Sequence, residues 1–68
     1  MKNNIKIERA RHDMTQADLA EKAQVSRQTI NAMEAGKYVP STLLSLKLAK
    51  IFKVEISELF QLEKKDWK

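Results

Sequence analysis

The sequence predicts an all-α domain of five short helices, and three observations indicate this class. Residues that favour helix N-termini recur along the chain, each ahead of a stretch whose apolar residues have helical spacing. The chain's one glycine follows such a stretch, where a left-handed residue commonly ends a helix. One glycine and one proline in 68 residues leave no linker-like segment. We expect helices at about residues 4–12, 16–23, 27–35, 41–52 and 56–61.

The chain length limits the protein to one domain, residues 1–68. A domain this small buries about 60% of the surface that its unfolded chain exposes, so its core is marginal. It has no cysteine and a single histidine, which excludes a disulfide and a cysteine or histidine cluster for a metal. Small domains without such staples often gain stability by association, which weakly favours a homodimer.

The charge balance fits a polyanionic partner. Thirteen lysines and arginines against nine acidic residues give a net charge of +4, a modest signal that many soluble domains share. No apolar run approaches the roughly 20 residues that span a bilayer, and residues 1–6 lack the apolar region of a secretory signal. We therefore expect a cytoplasmic protein with no membrane partner.

The first helix is expected to begin at an asparagine cap, Asn3 or Asn4, and to run to about His12. Asp13 is the residue expected to turn the chain out of the helix, because Asp tolerates the left-handed region better than most residues. His12 is expected to be an exposed helix-end side chain, since no nucleophile or orienting partner is indicated near it.

The second helix has a clear start. Thr15 is a good N-cap, and Asp18 stands three residues later, as in a capping box. The small residue Ala20 within its apolar stripe allows another helix to cross at short range. Gln16 lies in the first turn, where backbone N–H groups and the helix dipole attract phosphate. The alternative for Gln16 is a solvated residue with no partner.

The third helix lies between the N-cap Ser26 and Gly36. At about 100° per residue, Ile30 and Met33 fall on one side of it. The opposite side carries a guanidinium, two carboxamides and a methyl group, from Arg27, Gln28, Asn31 and Ala32. Such groups suit the base edges of a DNA major groove, although most amphipathic helices simply expose their polar face to water.

The fourth and fifth helices are expected to supply much of the core. Ser41 caps the fourth helix after Pro40. Its apolar residues spread around much of the circumference, as in a central helix, and they are assigned to the core: Leu43, Leu44, Leu46, Leu48, Ala49, Ile51 and Phe52. The fifth helix begins at about Ile56 and closes the core, and residues 61–68 form a short tail of mixed charge.

Two stretches of the sequence resemble the phage-repressor family, also called the Cro/C1 or xenobiotic-response-element family. Residues 14–40 read MTQADLAEKAQVSRQTINAMEAGKYVP, and they are similar to the helix-turn-helix of that family. Residues 48–60 read LAKIFKVEISELF, and they resemble its last two helices. The match covers about residues 3–60. It implies a five-helix, repressor-like DNA-binding domain that acts on double-stranded DNA as a transcriptional repressor.

The resemblance also implies a role for individual residues. The base-contacting residues are expected to be Arg27, Gln28, Asn31 and Ala32. The residues expected at the DNA backbone are Thr15, Gln16, Ser26, Thr29, Lys37 and Tyr38. A structural ion pair is expected between Arg9 and Glu34. Two positions where the family often has glycine hold Asp13 and Gln24 instead, and Gln24 must then adopt an awkward backbone angle.

Short stand-alone repressors within the family share three further features with this chain: the early Asn-Asn, the segment Val-Ser-Arg-Gln-Thr-Ile-Asn, and Phe-Gln after the last helix. This likeness implies a small antiparallel ribbon between Met1–Asn3 and about Phe60–Glu63. It also implies dimer contacts at Leu59, Phe60 and Leu62. Trp67 is either a further dimer contact or a loose tail residue.

The sequence thus favours a sequence-specific DNA-binding regulator that acts as a homodimer. A two-fold dimer holds its recognition helices about 34 Å apart, so the operator is expected to be near-palindromic. The alternative is an antitoxin-like or adaptor module that uses the same fold to bind protein. An enzyme is disfavoured, because the sequence has no nucleophile with a base, no glycine-rich phosphate loop and no metal set. No cofactor or small-molecule ligand is expected.

Overall fold

The computed structural model describes residues 1–67, and these form five helices and a two-stranded ribbon. The helices are α1 Ile5–Arg11, α2 Gln16–Ala23, α3 Arg27–Glu34, α4 Thr42–Phe52 and α5 Ile56–Leu59. The strands are β1 Lys2–Asn3 and β2 Phe60–Gln61, and a single 3-10 turn follows at Lys64–Trp67. Lys68, the end of the predicted tail, lies outside the described residues. Within residues 1–67, no helix has the length and apolar character to cross a membrane.

Three of the helices begin at the predicted caps. The Thr15 hydroxyl accepts from the Asp18 N–H at 3.0 Å, and the Asp18 carboxylate accepts from the Thr15 N–H at 2.9 Å. The Ser26 hydroxyl accepts from the Thr29 N–H at 3.1 Å, which caps α3. A serine caps α4 in the same way, with a hydroxyl–amide distance of 3.2 Å. Each such cap stabilises a helix by about 1 kcal/mol.

The start of α1 differs in detail from the expected asparagine cap. Asn4 occupies the N-cap position, but its side-chain amide donates to the Glu58 carbonyl at 2.9 Å. The side-chain oxygen of Asn3 accepts from the Ile5 N–H at 3.2 Å, and its amide donates to the Met33 carbonyl at 2.8 Å. The two asparagines therefore join the start of the chain to α3 and α5.

Four helices end in the same left-handed turn. The turning residues have φ values of 53° at Asp13, 62° at Gln24, 76° at Gly36 and 58° at Lys53. In each turn the next N–H donates to the carbonyl five residues earlier, over 2.9–3.1 Å. Asp13 and Gln24 thus adopt the backbone conformation expected of them. The left-handed turn at Lys53 was not predicted.

One hydrophobic core lies between the helices. Its large members that are fully buried include Leu19, Ile30, Met33 and Leu48. Ala20 of α2 is also buried, at the side where α2 packs against α3 and α4. The core cluster comprises Ile5, Leu19, Ala20, Ala23, Ile30, Met33, Leu44, Leu48, Ala49, Phe52 and Leu59.

The assignment of all apolar residues of α4 to the core is wrong for two leucines. Leu43 is 68% exposed and Leu46 is 54% exposed, whereas Leu44 and Leu48 are buried. The reason is geometric, because neighbouring elements cover one side of α4 and residues 43 and 46 project from the other. Ile51 is half-buried at the margin of the core.

The fifth helix is two residues shorter than predicted, because Phe60 and Gln61 belong to the ribbon. Phe60 has extended backbone angles, φ −127° and ψ 133°, which end α5 at Leu59. Strand β2 pairs antiparallel with β1, with Lys2 opposite Gln61 and Asn3 opposite Phe60. The predicted ribbon is therefore present in a shorter form.

Candidate nucleic-acid interface

The polar side of α3 faces outward. Ile30 and Met33 are fully buried, and they fix the rotation of the helix against the core. Arg27, Gln28 and Asn31 are exposed on the opposite side. Ala32, expected on the same face, is half-buried at its edge. The rotation of α3 therefore directs one guanidinium and two carboxamides toward a potential ligand.

The start of α2 lies beside this outward face. Gln16 lines one surface depression together with Arg27, Gln28 and Asn31. The depression combines side chains of two helices, since Gln16 of α2 and Arg27 of α3 lie eleven positions apart in the sequence. Gln16 lies at the N-terminus of α2, where the backbone N–H groups and the helix dipole favour an anion.

The hydroxyl groups near the starts of α2 and α3 are engaged in capping. Thr15 takes part in the capping box of α2. The hydroxyls of Ser26 and Thr29 lie 2.9 Å apart and share a hydrogen bond. Thr15 and Ser26 are exposed and Thr29 is half-buried, so all three lie near the surface at the helix starts.

Lys37 and Tyr38 lie in the loop between α3 and α4, at the C-terminal end of α3. Both are exposed, and the Tyr38 side chain is accessible over 44% of its surface. Since α3 has eight residues, the loop lies about 12 Å along the helix axis from Arg27. Lys37 and Tyr38 do not line the depression formed by Gln16 and α3.

An ion pair joins α1 to the end of α3. The Arg9 Nε donates to Glu34 Oε2 at 2.6 Å and Nη2 donates to Oε1 at 3.0 Å, so the pairing is bidentate. A third arginine donor, Nη1, binds the Met14 carbonyl at 2.9 Å. The predicted pair of Arg9 with Glu34 is present in the structure.

The same carboxylate also holds Gln16. The Gln16 amide donates to Glu34 Oε1 at 3.1 Å, so Glu34 links α1, α2 and α3. Burial alone favours the neutral carboxyl group, but the hydrogen bonds from Arg9 and Gln16 outweigh it and hold the pKa of Glu34 below the ordinary value of 4.5. The same ion pair has the opposite effect on its cation, because the hydrogen bond to Glu34 raises the pKa of Arg9. The network is charged at neutral pH.

A comparison with known families assigns this architecture. A family model described as helix-turn-helix matches residues 5–59, which include all five helices. The chain belongs to the Cro/C1-type helix-turn-helix family. The two helices of the motif correspond to α2 and α3, and in DNA-binding members of this class the second helix is called the recognition helix.

Curated relatives of this chain are named helix-turn-helix-type transcriptional regulators. An uncharacterized helix-turn-helix-type transcriptional regulator of Methanocaldococcus jannaschii is 57% identical over 60 residues, which cover 88% of this chain and 91% of the relative. The uncharacterized helix-turn-helix-type transcriptional regulator YgzD of Bacillus subtilis is 46% identical over 66 residues, or 97% and 100% of the two chains. One from Archaeoglobus fulgidus is 45% identical over 60 residues, or 88% and 86%.

The residues expected to join two copies of the helix-turn-helix domain lie in different environments. Leu62 is 60% exposed and Phe60 is half-buried. Leu59 is fully buried, so its side chain belongs to the core of its own protomer and offers no surface to a partner. The expected dimer contact at the Leu59 side chain is therefore corrected.

Sequence reasoning missed two exposed aliphatic residues near Phe60. Val39 is 63% exposed and Ile56 is 39% exposed, and both line a shallow surface depression that Phe60 shares. The sequence carries a signal for Val39, which is an aliphatic residue in a polar loop. Ile56 carries no such signal, because helical spacing alone does not distinguish it from a core residue. We call the surface of Val39, Ile56 and Phe60 the α5 face.

Sequence reasoning also missed the bond between Gln16 and Glu34. The two residues are 18 positions apart, and only the crossing of α2 and α3 brings them together. No local pattern predicts that contact.

Proposed function

We propose that this chain is a sequence-specific DNA-binding transcriptional regulator that inserts α3 into a DNA major groove. The observation that carries the proposal is the orientation of α3, with Ile30 and Met33 buried while Arg27 and Gln28 are exposed. Membership of a helix-turn-helix family and the names of the relatives support it. A cytoplasmic location is part of the proposal, because the relatives come from bacteria and archaea, whose DNA lies in the cytoplasm.

Each exposed group on α3 has a base that it fits. The Arg27 guanidinium donates twice to the O6 and N7 atoms of guanine. The carboxamides of Gln28 and Asn31 pair with the N6 and N7 atoms of adenine, donating one bond and accepting the other. The Ala32 methyl group, at the edge of the face, fits the methyl group of thymine.

The backbone contacts hold the protein in register on the duplex. Gln16 is the leading candidate, since it lies at the N-terminus of α2 within the same depression as Arg27. Lys37 and Tyr38 supply a cation and a phenol at the other end of α3. The hydroxyls at the helix starts, from Thr15, Ser26 and Thr29, are further candidates for phosphate oxygens. Such contacts supply affinity without sequence preference.

The proposed active form is a homodimer that binds a near-palindromic operator. The α5 face offers exposed apolar side chains for the contact between two copies, including Val39 and Ile56. A two-fold dimer holds its recognition helices about 34 Å apart, one turn of DNA. Repression follows where the bound dimer occludes a promoter. This mode of action requires no cofactor and no small-molecule ligand.

Two measurements test the proposed sequence specificity and the proposed dimer. Repeated selection of bound duplexes from a random-sequence library should yield one motif with two inverted half-sites about ten base pairs apart. Light scattering should give twice the mass of one chain under the same conditions. A selected pool with no enriched motif would overturn the proposed sequence specificity. A single half-site bound by a monomer would overturn the dimer while leaving the DNA contact intact.

A second function, as a module that binds another protein, is favoured by one observation. The exposed leucines of α4 lie on a different surface from the polar face of α3 and from the α5 face.

A further inference from the structure

The groove beside α4 combines exposed aliphatic side chains with lysines. Its lining residues come from α4 and from the end of α2, and we call this surface the α4 groove. They are Lys22, Leu43, Leu46, Lys47, Lys50 and Ile51. Half of them are aliphatic, half are lysines, and none is acidic.

The aliphatic residues of the α4 groove are clustered, and two of them are exposed. Leu43 and Leu46 are each more than half exposed, whereas Ile51 is half-buried and joins the groove to the core. Since residues 43, 46 and 50 recur at helical spacing, the groove follows the axis of α4 over about 10 Å. Clustered exposed apolar side chains bordered by polar groups commonly mark a protein contact.

The charges of the groove identify the kind of partner. Lys22 borders the aliphatic residues from α2, and Lys47 and Lys50 border them from α4. The Lys47 ammonium donates to the side-chain oxygen of Gln24, the residue that ends α2, at 3.3 Å. A partner with carboxylates on either side of an apolar stripe would match this arrangement.

Other occupants fit less well. A second copy that docked by two-fold symmetry would bring Lys47 and Lys50 against the same residues of its partner, which like-charge repulsion opposes. DNA phosphates match the lysines but leave Leu43 and Leu46 without an apolar contact. A lipid surface is broad, and the groove lies between two helices whose main apolar faces are already buried.

We propose that the α4 groove binds an acidic amphipathic helix of a partner protein. The partner helix inserts apolar side chains at positions i, i+3 or i+4, and i+7 between the leucines and Lys22. Its glutamates or aspartates then pair with the three lysines. Because the groove shares no lining residue with the depression on α3, the protein can hold this partner and DNA at once.

The test uses nitrogen-15-labelled protein and a synthetic helical peptide with leucines at those spacings and glutamates on both flanks. Titration should shift the amide resonances of Lys22, Leu46, Lys50 and their neighbours. A control peptide of identical composition, with its leucines scrambled out of helical spacing, should bind at least tenfold more weakly. The Arg27→Ala variant should bind the peptide as the unchanged protein does, since this proposal does not depend on DNA binding.

Two variants separate the charge from the apolar contact. Reversal of both lysines, K47E with K50E, should weaken peptide binding at least tenfold. The same charge change outside the groove, K64E with K65E, should leave binding within twofold. Leu46→Gln keeps every charge and changes only an exposed side chain, so it tests the apolar contact even if the lysine reversals destabilise α4.

Several outcomes would overturn the proposal. Equal binding of the scrambled peptide would contradict the helical spacing. Binding to anionic phosphatidylglycerol vesicles, lost in Leu46→Gln while the peptide fails to bind, would identify a lipid-binding surface instead. A dimer that Leu46→Gln converts to a monomer would identify a contact between two copies of this chain.

Discussion

Among the side chains of residues 1–67, that of Glu34 forms hydrogen bonds with side chains of two other helices. Its carboxylate accepts from Arg9 and from Gln16, so one side chain sets the position of α1 and the start of α2 against α3. Gln16 is also one of the four residues that line the depression beside α3. Glu34 is therefore expected to act on DNA affinity through the position of Gln16.

Removal of the negative charge of Glu34 should change how the free energy of unfolding depends on pH. Because the folded-state pKa of Glu34 lies below its ordinary value of 4.5, the ionised carboxylate stabilises the fold above that pH. The contribution is lost as the pH falls through the folded-state pKa. We expect Glu34→Gln to cost about 2 kcal/mol of unfolding free energy at pH 7. Urea unfolding between about pH 6 and pH 3 should then show a smaller acid loss in the variant than in the unchanged protein.

A double-mutant cycle supplies the control for that measurement. Arg9→Gln should remove most of the same contribution, so the double variant with Glu34→Gln should cost less than the sum of the two. Strictly additive costs would contradict direct coupling of Arg9 with Glu34.

Base contacts and backbone contacts should respond differently to alanine. We expect Arg27→Ala to cost about 1–3 kcal/mol of binding free energy and to relax the preference at one base position. Lys37→Ala should weaken binding to all sequences alike and reduce the slope of log K against log salt by about one. Gel-shift titrations at several salt concentrations measure both. If Arg27→Ala loses affinity equally on every duplex, its proposed base contact is wrong.

For single residues, the sequence predicts the features that follow from the geometry of one helix. The rotation of α3 follows from two buried aliphatic residues, and so the outward direction of Gln28 and Asn31 is predictable. The hydrogen bond from Gln16 to Glu34 depends on how α2 and α3 cross. The spacing of apolar residues within one helix does not predict that crossing. The exposure of Ile56 was missed for the same reason.

At the scale of the elements, the helix ends are the most uniform feature of the fold. The helices α1, α2, α3 and α4 each end in a left-handed turn, and glycine occupies only the turn at Gly36. A residue with a Cβ atom is strained in that conformation by about 1–2 kcal/mol. The other three turns therefore retain a cost that glycine would relieve.

Glycine should stabilise the turn after α4 and destabilise the helix before it. We expect Lys53→Gly to raise the free energy of unfolding by about 0.5–1 kcal/mol, because φ is 58° there. The matched variant Lys50→Gly makes the same chemical change inside α4 and should cost about 1 kcal/mol. Thermal unfolding measures both. Destabilisation by Lys53→Gly would contradict the account of the turn.

The starts of the helices were easier to predict from sequence than their exposed faces. Thr15, Ser26 and Ser41 cap backbone groups within three residues, so the signal is local. The exposure of Leu43 and Leu46 depends on which neighbours pack against α4, and the leucine spacing resembles that of a central helix. The shortening of α5 likewise depends on pairing with a strand some 57 positions away in the chain.

At the scale of the whole molecule, the proposed dimer depends on the α5 face. A marginal core in a 68-residue chain gains from association. The α5 face lies next to the ribbon, because Phe60 belongs both to the depression beside Ile56 and to β2. The spacing of the two recognition helices would thus depend on how α5 and the ribbon pack.

A charge on the α5 face should separate the two copies. We expect Ile56→Glu to lower the dimer fraction at micromolar concentration and to weaken operator binding at least tenfold, because the two half-sites are then bound independently. Ile7→Glu is the matched control, since Ile7 is 52% exposed on α1 and lies outside the depression. Analytical ultracentrifugation measures the mass. Equal masses for both variants would contradict the α5 face as the interface.

The hydrogen bond from Asn3 to the Met33 carbonyl has an energetic consequence for DNA recognition. An isolated helix of eight residues is too short to persist in water, so a peptide of residues 26–36 alone would be largely unfolded. In the domain, the Asn3 amide adds a second hydrogen bond to the Met33 carbonyl in the last turn of α3, and Arg9 holds Glu34. The conformational entropy of α3 is therefore lost when the domain folds, before the protein meets the duplex. In the proposed complex, the free energy of base contacts would then go into sequence discrimination instead of ordering the helix.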